Sequence, residues 1–153
     1  MGALSYLMGP LVCPACGTEF SDGLDLSISN QLSASPEGEV FRVGEPVDVA
    51  PGDFEAAFLV LRLPAAGEDV HVLHEWWCLA CGSLNWAEAV FGAGRFLSFD
   101  PVAFTRATME RIHFVGGGLL DYYSQITDRS IASSPASPGD VVREILAVTA
   151  AAT

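Results

Sequence analysis

One segment decides the fold of this chain: residues 70–82, with the sequence VHVLHEWWCLACG. Its first eight residues are rich in β-branched and aromatic side chains and predict a strand that ends where the first cysteine begins. Its last five residues form the frame Cys-x-x-Cys-Gly, which occurs a second time at residues 13–17. The sequence therefore predicts two tight turns of the same kind, here called knuckles.

The knuckles contain all four cysteines of the chain: Cys13, Cys16, Cys78 and Cys81. A Cys-x-x-Cys turn directs two sulfurs at one point, and the glycine after it admits a left-handed backbone. Four thiolates match a tetrahedral site for Zn²⁺ or, as the alternative, Fe. Two short disulfides, a redox Cys-x-x-Cys and unrelated buried cysteines are the other interpretations, but duplication of the whole frame favours one shared metal site.

The distance between the knuckles along the chain is unusual. Sixty-one residues separate Cys16 from Cys78, whereas a simple ribbon has about 15–20 between its pairs. Closing the longer loop costs roughly 1 kcal/mol more, against the 10–16 kcal/mol or so that structural zinc contributes in small peptides. The spacing therefore predicts a folded insertion over residues 24–75.

The paired frames resemble those of the zinc-ribbon and rubredoxin-like superfamily, and of small bacterial proteins with paired Cys-Pro-x-Cys turns. Residues 76–82 are similar to the Trp-x-Cys-x-x-Cys-Gly of rubredoxins, and residues 16–22 place an aromatic residue and an acid in similar positions. Leu79 replaces the usual proline of the second turn, and Thr18 stands where rubredoxins tend to have an aromatic residue. The resemblance implies a metal held by a small β core.

We predict an α+β fold: an antiparallel zinc-ribbon or rubredoxin-like core with a long β insertion between the knuckles, followed by C-terminal helices. Asp100-Pro101 marks the first helix start, because Asp is a favoured N-cap and Pro suits the first helical position. The predicted strands cover residues 24–29, 39–43, 54–63 (where a helix is the alternative), 70–77, 86–91 and 95–99, and the predicted helices cover residues 101–115, 119–127 and 140–153.

These elements divide the chain into four parts: an acidic metal-binding β lobe at 1–99, a helical segment at 100–129, a Ser- and Pro-rich linker at 130–139 and an amphipathic tail helix at 140–153. The tail carries an apolar stripe formed by Val141, Val142, Ile145 and Leu146. A helix this short is marginal alone in water and needs a surface. Packing on its own domain is favoured; docking on another subunit, which would form an oligomer, is the alternative.

The charge of the chain excludes several kinds of partner. Seven basic residues, all arginine, stand against 19 acids, and the net charge is −12. Phosphate recognition needs clustered cations, so no nucleic-acid partner is expected. A nucleic-acid-binding ribbon is the least favoured alternative, because the fold would have to gather scattered arginines. The acids concentrate in residues 1–91, so an electrostatic partner of this part should be basic, although solubility alone also explains an acidic surface.

Location signals are absent from the sequence. The apolar start has no basic segment before it, and no stretch approaches the ~20 apolar residues of a membrane helix. We therefore predict a cytoplasmic protein without membrane insertion.

No catalytic motif stands out, and a site closed by four thiolates leaves no position for water. We predict a non-catalytic zinc-ribbon protein that binds another protein as an accessory subunit or assembly factor; a rubredoxin-like iron electron carrier is the alternative. His71 and His74 are expected as strand histidines and not as ligands. The candidate partner-binding residues are Trp76, Trp77 and Trp86, for which packing around the metal core is the commoner arrangement, and the tail residues Val141, Val142, Ile145 and Leu146.

Overall fold

The computed structural model describes residues 5–20, 29–30, 40–47, 51–127 and 137–151. In chain order its elements are β1 (Ser5–Met8), β2 (Leu11–Val12), β3 (Glu19–Phe20), β4 (Ser29–Asn30), β5 (Val40–Arg42), α1 (Pro51–Ala57), β6 (Leu59–Val60), β7 (Val70–Trp77), β8 (Leu84–Gly92), β9 (Arg95–Val102), α2 (Arg106–Arg111), β10 (Phe114–Val115), α3 (Gly118–Thr127) and α4 (Pro138–Ala151). Residues 24–28 of one predicted strand and residues 130–136 of the predicted linker lie outside the described residues.

The centre of the molecule is the β7–β8–β9 meander, whose three strands the sequence predicted. β7 and β8 pair antiparallel from Val70 opposite Phe91 to Trp77 opposite Leu84. The β8–β9 turn places Ala93 and Gly94 in the left-handed region, with φ of 51° and 74°. Glycine adopts that region without a steric penalty, which suits it to the tight hairpin turn.

The sheet around this meander is mixed, not antiparallel as predicted. Its order is β6-β10-β7-β8-β9, and β10 runs parallel to β7 and antiparallel to β6. A helical connection through α2 brings β10 back beside β7, and such a crossover is what a parallel neighbour requires. A second sheet of order β4-β1-β5 contains another parallel pair, β1 with β5, while β2 and β3 form a separate ribbon.

The predicted helix over residues 101–115 is wrong in most of its length. β9 runs through Pro101 to Val102, α2 starts only after its N-cap Thr105, and Phe114 belongs to β10. Pairing with β8 overrides the Asp-Pro cap signal, because proline is tolerated on the edge strand that β9 forms. The predicted helical segment therefore contributes strand residues to the central sheet.

The predicted strand over residues 54–63 is wrong in its first half, where α1 forms. Phe54 and Phe58 are both buried, and the Phe58 amide donates to the Phe54 carbonyl at 3.0 Å. Residues four apart share one helix face, so both rings enter the same core. Only Leu59–Val60 is a strand.

Two apolar clusters cover the two faces of the central sheet. The first cluster joins the sheet to the N-terminal strands and α1, and its members include Leu7, Leu11, Cys13, Phe41, Phe54, Val72, Trp76, Cys78, Phe96 and Phe114. The second cluster joins the sheet to the helices, and its members include Leu73, Trp86, Met109, Ile112, Leu119, Tyr123, Val141, Val142 and Ile145. Both faces of β7 are therefore covered, with Val72 on one side and Leu73 on the other.

The tail helix α4 packs on its own domain, which is the arrangement that the sequence favoured. It begins at Pro138, two residues before the predicted start, and the Ser137 hydroxyl accepts a hydrogen bond from the Asp140 amide at 3.2 Å. Its neighbour is α3, and the Tyr123 hydroxyl donates to Glu144 at 2.9 Å. None of the helices in the described ranges is both long and apolar enough to cross a membrane.

Candidate metal centre

The first knuckle closes through two backbone hydrogen bonds. The Gly17 amide donates to the Cys13 carbonyl at 2.8 Å, and the Cys13 amide donates to the Thr18 carbonyl at 2.9 Å. Gly17 has a φ of 76°, where a larger side chain would be strained. The ribbon of β2 and β3 carries this turn, so the chain enters and leaves it on paired strands.

The second knuckle repeats this geometry. The Gly82 amide donates to the Cys78 carbonyl at 2.7 Å, the Cys78 amide donates to the Ser83 carbonyl at 3.0 Å, and Gly82 has a φ of 75°. Strands β7 and β8 carry this turn, with Trp77 opposite Leu84 as the last pair before it. The shared frame of the sequence therefore corresponds to one shared backbone conformation.

The two knuckles face each other, and all four Sγ atoms lie within 4.8 Å of one another. Cys13 Sγ lies 3.8 Å from Cys81 Sγ, and Cys16 Sγ lies 3.6 Å from Cys78 Sγ. Both distances are longer than the about 2.05 Å of a disulfide, and all four cysteines are free, so neither frame closes into a short disulfide. A tetrahedral ion with Zn–S bonds of about 2.3 Å separates its sulfurs by about 3.8 Å. The four cysteines therefore fit one metal ion and could bind it.

The burial of the four cysteines is asymmetric. The first cysteine of each frame, Cys13 or Cys78, is buried and belongs to the first apolar cluster, whereas the second, Cys16 or Cys81, is exposed. The centre therefore has one face in the core and one toward solvent. Burial raises the pKa of the Cys78 thiol to about 11, which favours the neutral form until a cation compensates the charge.

Polar side chains surround the sulfurs. The Ser83 hydroxyl lies 3.1 Å from Cys81 Sγ and 3.5 Å from Cys13 Sγ. This contact with Ser83 is the main reason that the pKa of Cys13 is lowered to about 6, and it also lowers the pKa of Cys81. Asn85 donates to the Ser83 hydroxyl at 3.0 Å and its amide nitrogen lies 3.7 Å from Cys13 Sγ. Outer contacts of this kind orient metal ligands and stabilise their charge.

These outer residues were not predicted, although the sequence contains a signal for two of them. A hydroxyl residue follows the glycine of each frame, Thr18 in the first and Ser83 in the second. Thr18 Oγ1 lies 3.1 Å from Cys16 Sγ, as Ser83 Oγ does from Cys81 Sγ. The repeated frame is therefore six positions long, with the hydroxyl as its last member.

The three tryptophans do not form a common exposed patch. Trp76 is buried in the first cluster with its ring edge-on to Phe20, and Trp86 is buried in the second cluster against Phe104 and Tyr122. Trp77 alone among them is exposed, with 46% of its surface accessible. A partner can therefore contact Trp77 directly but not the other two.

The tail stripe is used within the chain. Val141, Val142 and Ile145 are buried in the second cluster, and Leu146 is partly buried against it. A partner would reach these side chains only if α4 left α3. The interaction role predicted for them stays a prediction.

The histidines lie away from the sulfurs. His71 Nδ1 is 2.5 Å from Glu88 Oε2, and His74 Nδ1 is 2.8 Å from the Glu75 carbonyl. The only group of three or more potential metal ligands in the described part of the chain is that of the four cysteines. Within those residues the ligand set is four sulfurs.

Comparisons of the chain with protein-family models, with curated proteins and with solved structures find no match. Any inference about function therefore depends on the geometry of the chain itself. This geometry consists of two like knuckles, four converging sulfurs and an outer layer of hydroxyl and amide groups.

Proposed function

We propose that this chain is a non-catalytic zinc-ribbon-like protein whose four cysteines hold Zn²⁺ and which acts by binding a protein partner. The observation that carries the proposal is the convergence of four sulfurs from two knuckles that are distant in the sequence. Four thiolates fill a tetrahedral ion and leave no position for substrate or water, which favours a structural metal.

The zinc would join two separate pieces of β structure. The first knuckle belongs to the β2–β3 ribbon and the second to the central sheet. Cys13 and Cys78 lie in the apolar cluster between these pieces, so the ion would extend that core. Structural zinc contributes on the order of 10–16 kcal/mol in small peptides, which is enough to decide whether the N-terminal strands stay packed.

The partner surface that we propose is the exposed apolar group beside the ligands, named here the knuckle patch. It consists of Val12, Trp77 and Leu79, which are 44%, 46% and 65% exposed and each next to a ligand in the sequence. Exposed aromatic and aliphatic side chains on rigid turns are typical of contact sites. With a net charge of −12, the chain favours a basic partner, for which it would be an accessory subunit or assembly factor.

The test combines metal analysis with a matched pair of surface variants. We expect one zinc per chain and no visible colour in protein purified at native expression levels. The complex is first isolated from native lysate and then rebuilt from purified components. Leu79→Ser should keep the metal and the fold but abolish formation of this rebuilt complex. Leu97→Ser is the control, because Leu97 is 42% exposed on β9 and does not belong to the knuckle patch. Equal loss of the complex with both variants, or with neither, would contradict the knuckle patch.

An iron electron carrier of rubredoxin type is the second candidate, and one observation favours it. Cys16 and Cys81 are exposed, so a metal between the sulfurs would lie next to the surface, where electrons can pass to a partner. This candidate predicts one iron per chain, a red protein and a reversible one-electron change in absorbance. Zinc content with no redox response would exclude it.

A further inference from the structure

A groove of about 570 Å³ lies on the helical side of the molecule, between α2 and α4. Its floor is apolar and includes Met109, Ile112, Val142 and Leu146. These residues belong to or pack against the second apolar cluster, whereas Cys13 and Cys78 lie in the first. The groove is therefore separate from the candidate metal centre, and its volume lies in the range of small-molecule sites.

Three of the seven arginines of the chain line this groove: Arg62, Arg106 and Arg143. Glu110 is the one acid among the described lining residues. Gathering three cations at one groove is unexpected in a chain with a net charge of −12. The three arginines stand against three acids, Glu110 in the lining and Glu68 and Asp140 as ion-pair partners. An anionic ligand would therefore depend on Arg106, the arginine of the three with no such partner in the described residues.

The three arginines differ in how they are held. Arg62 donates to the carbonyls of Glu110 and Arg111 at 3.5 and 3.4 Å and forms an ion pair with Glu68 at 3.6 Å. Arg143 forms an ion pair with Asp140. The Arg106 side chain makes no hydrogen bond or ion pair within the described part of the chain and is exposed, so its guanidinium is free to pair with a ligand.

We propose that this groove binds an alkyl carboxylate, a fatty-acid-type anion, with its chain on the apolar floor and its carboxylate against Arg106. The guanidinium group presents parallel N–H donors that match the two oxygens of a carboxylate. A purely polar anion is not the best ligand, because it has no apolar surface to bury against the floor. A neutral hydrocarbon is not the best ligand either, because it has no charged group to pair with Arg106.

The first experiment is calorimetric titration of the full-length metal-loaded protein with decanoate below its micelle concentration. We expect saturable binding with one site per chain. Each buried methylene is worth about 0.8 kcal/mol, or roughly fourfold in affinity, so octanoate should bind on the order of tenfold more weakly. Decyltrimethylammonium, with the same chain and the opposite charge, should not bind. Absence of saturable decanoate binding, or equal binding of the cation, overturns the proposal.

Three variants separate the groove from general surface binding. Arg106→Gln should weaken decanoate binding about tenfold without changing the melting temperature, because the Arg106 side chain is exposed and has no hydrogen bond or ion pair to lose in the described residues. Arg42→Gln removes the same charge from β5, outside the groove, and should leave the affinity unchanged. Ala147→Trp places a large side chain at an exposed α4 position that lines the groove and should abolish binding. Equal affinity of wild type, R106Q and A147W would overturn the site, whatever the outcome for the metal.

Discussion

Replacing Gly118 by alanine tests whether Glu75 is packed as the structure shows. Gly118 is the first residue of α3, and a Cβ there would overlap Glu75 Cγ and Cδ and lie 2.8 Å from Oε1. A Cβ at Gly116 would likewise overlap the other carboxylate oxygen, Oε2, so the Glu75 side chain occupies the space that both glycines leave open. The Glu75 side chain therefore explains why two residues of the 116–118 segment, Gly116 and Gly118, are glycines.

The expected magnitude derives from overpacking. Inserting a methyl group into a filled site costs about 1–3 kcal/mol, and we expect about 2 kcal/mol for G118A because Glu75 is only partly exposed. For a chain of this size that loss lowers the melting temperature by about 4–8 °C. Helix propensity acts in the opposite direction, since alanine is favoured over glycine, so a measured loss reflects the contact.

Urea unfolding of the metal-loaded protein is the assay, and Gly117→Ala is the matched control. No atom lies within 4 Å of a Cβ at Gly117, so G117A should be neutral or more stable by about 0.4–1 kcal/mol through the unfolded chain. In a Glu75→Ala background the G118A loss should fall below about 0.5 kcal/mol. A G118A variant as stable as G117A, or a loss that persists without Glu75, would refute this explanation.

Three further perturbations have defined outcomes. Cys78→Ala should lose the bound metal and lower the urea midpoint strongly, and a chelator should do the same to wild type but not to the variant; metal retention by C78A would contradict the ligand set. The Glu88 carboxylate accepts a hydrogen bond from Arg111 Nε at 2.9 Å and lies beside His71. Burial acts to raise the pKa of Glu88, but the hydrogen bonds with Arg111 and His71 leave that pKa below its usual value. Glu88→Gln should therefore cost about 1–2 kcal/mol at pH 7, a difference that shrinks as pH falls below about 4; a pH-independent difference would count against it. Burial, with Arg62 nearby, lowers the pKa of His113, whose Nδ1 accepts a hydrogen bond from the His71 amide at 3.0 Å. Because the folded state holds the neutral ring, the contribution of His113 to the free energy of unfolding is full above about pH 6.5 and falls as the pH drops below that value. His113→Asn should flatten the change between pH 7.5 and 5.5, and an unchanged slope would exclude this origin.

The knuckles and the strand before the second one were predictable because their signals are local. Gly17 and Gly82 adopt the left-handed conformation that the frame requires, and Val70–Trp77 is a strand as its residue types indicate. The β8–β9 hairpin is encoded by the Gly92-Ala93-Gly94 segment, because its tight turn also needs residues in the left-handed conformation. Each of these features depends on residues a few positions apart.

The sequence-based predictions were wrong where contacts between residues distant in the sequence determine the secondary structure or the burial. Pro101 comes after a good N-cap residue, yet it pairs with Ala87 of β8 and stays extended. Phe54 and Phe58 lie in a segment whose apolar pattern fits a helix or a strand, and their burial in one core selects the helix. The tryptophans flank a knuckle in the sequence, but β7 and β8 are covered on both faces, so Trp76 and Trp86 enter opposite clusters.

By itself, then, the amino-acid order determined the two turns, the residues able to carry sulfur ligands and the acidic character of the chain, since these depend on residue type and close spacing. Tertiary structure alone decided that the two sulfur pairs meet, that Ser83 and Asn85 stand beside them, and that three arginines share a groove with an apolar floor. The physical reason is that burial and contact between distant residues depend on how the sheet brings separate segments together, and no short pattern along the chain encodes that arrangement.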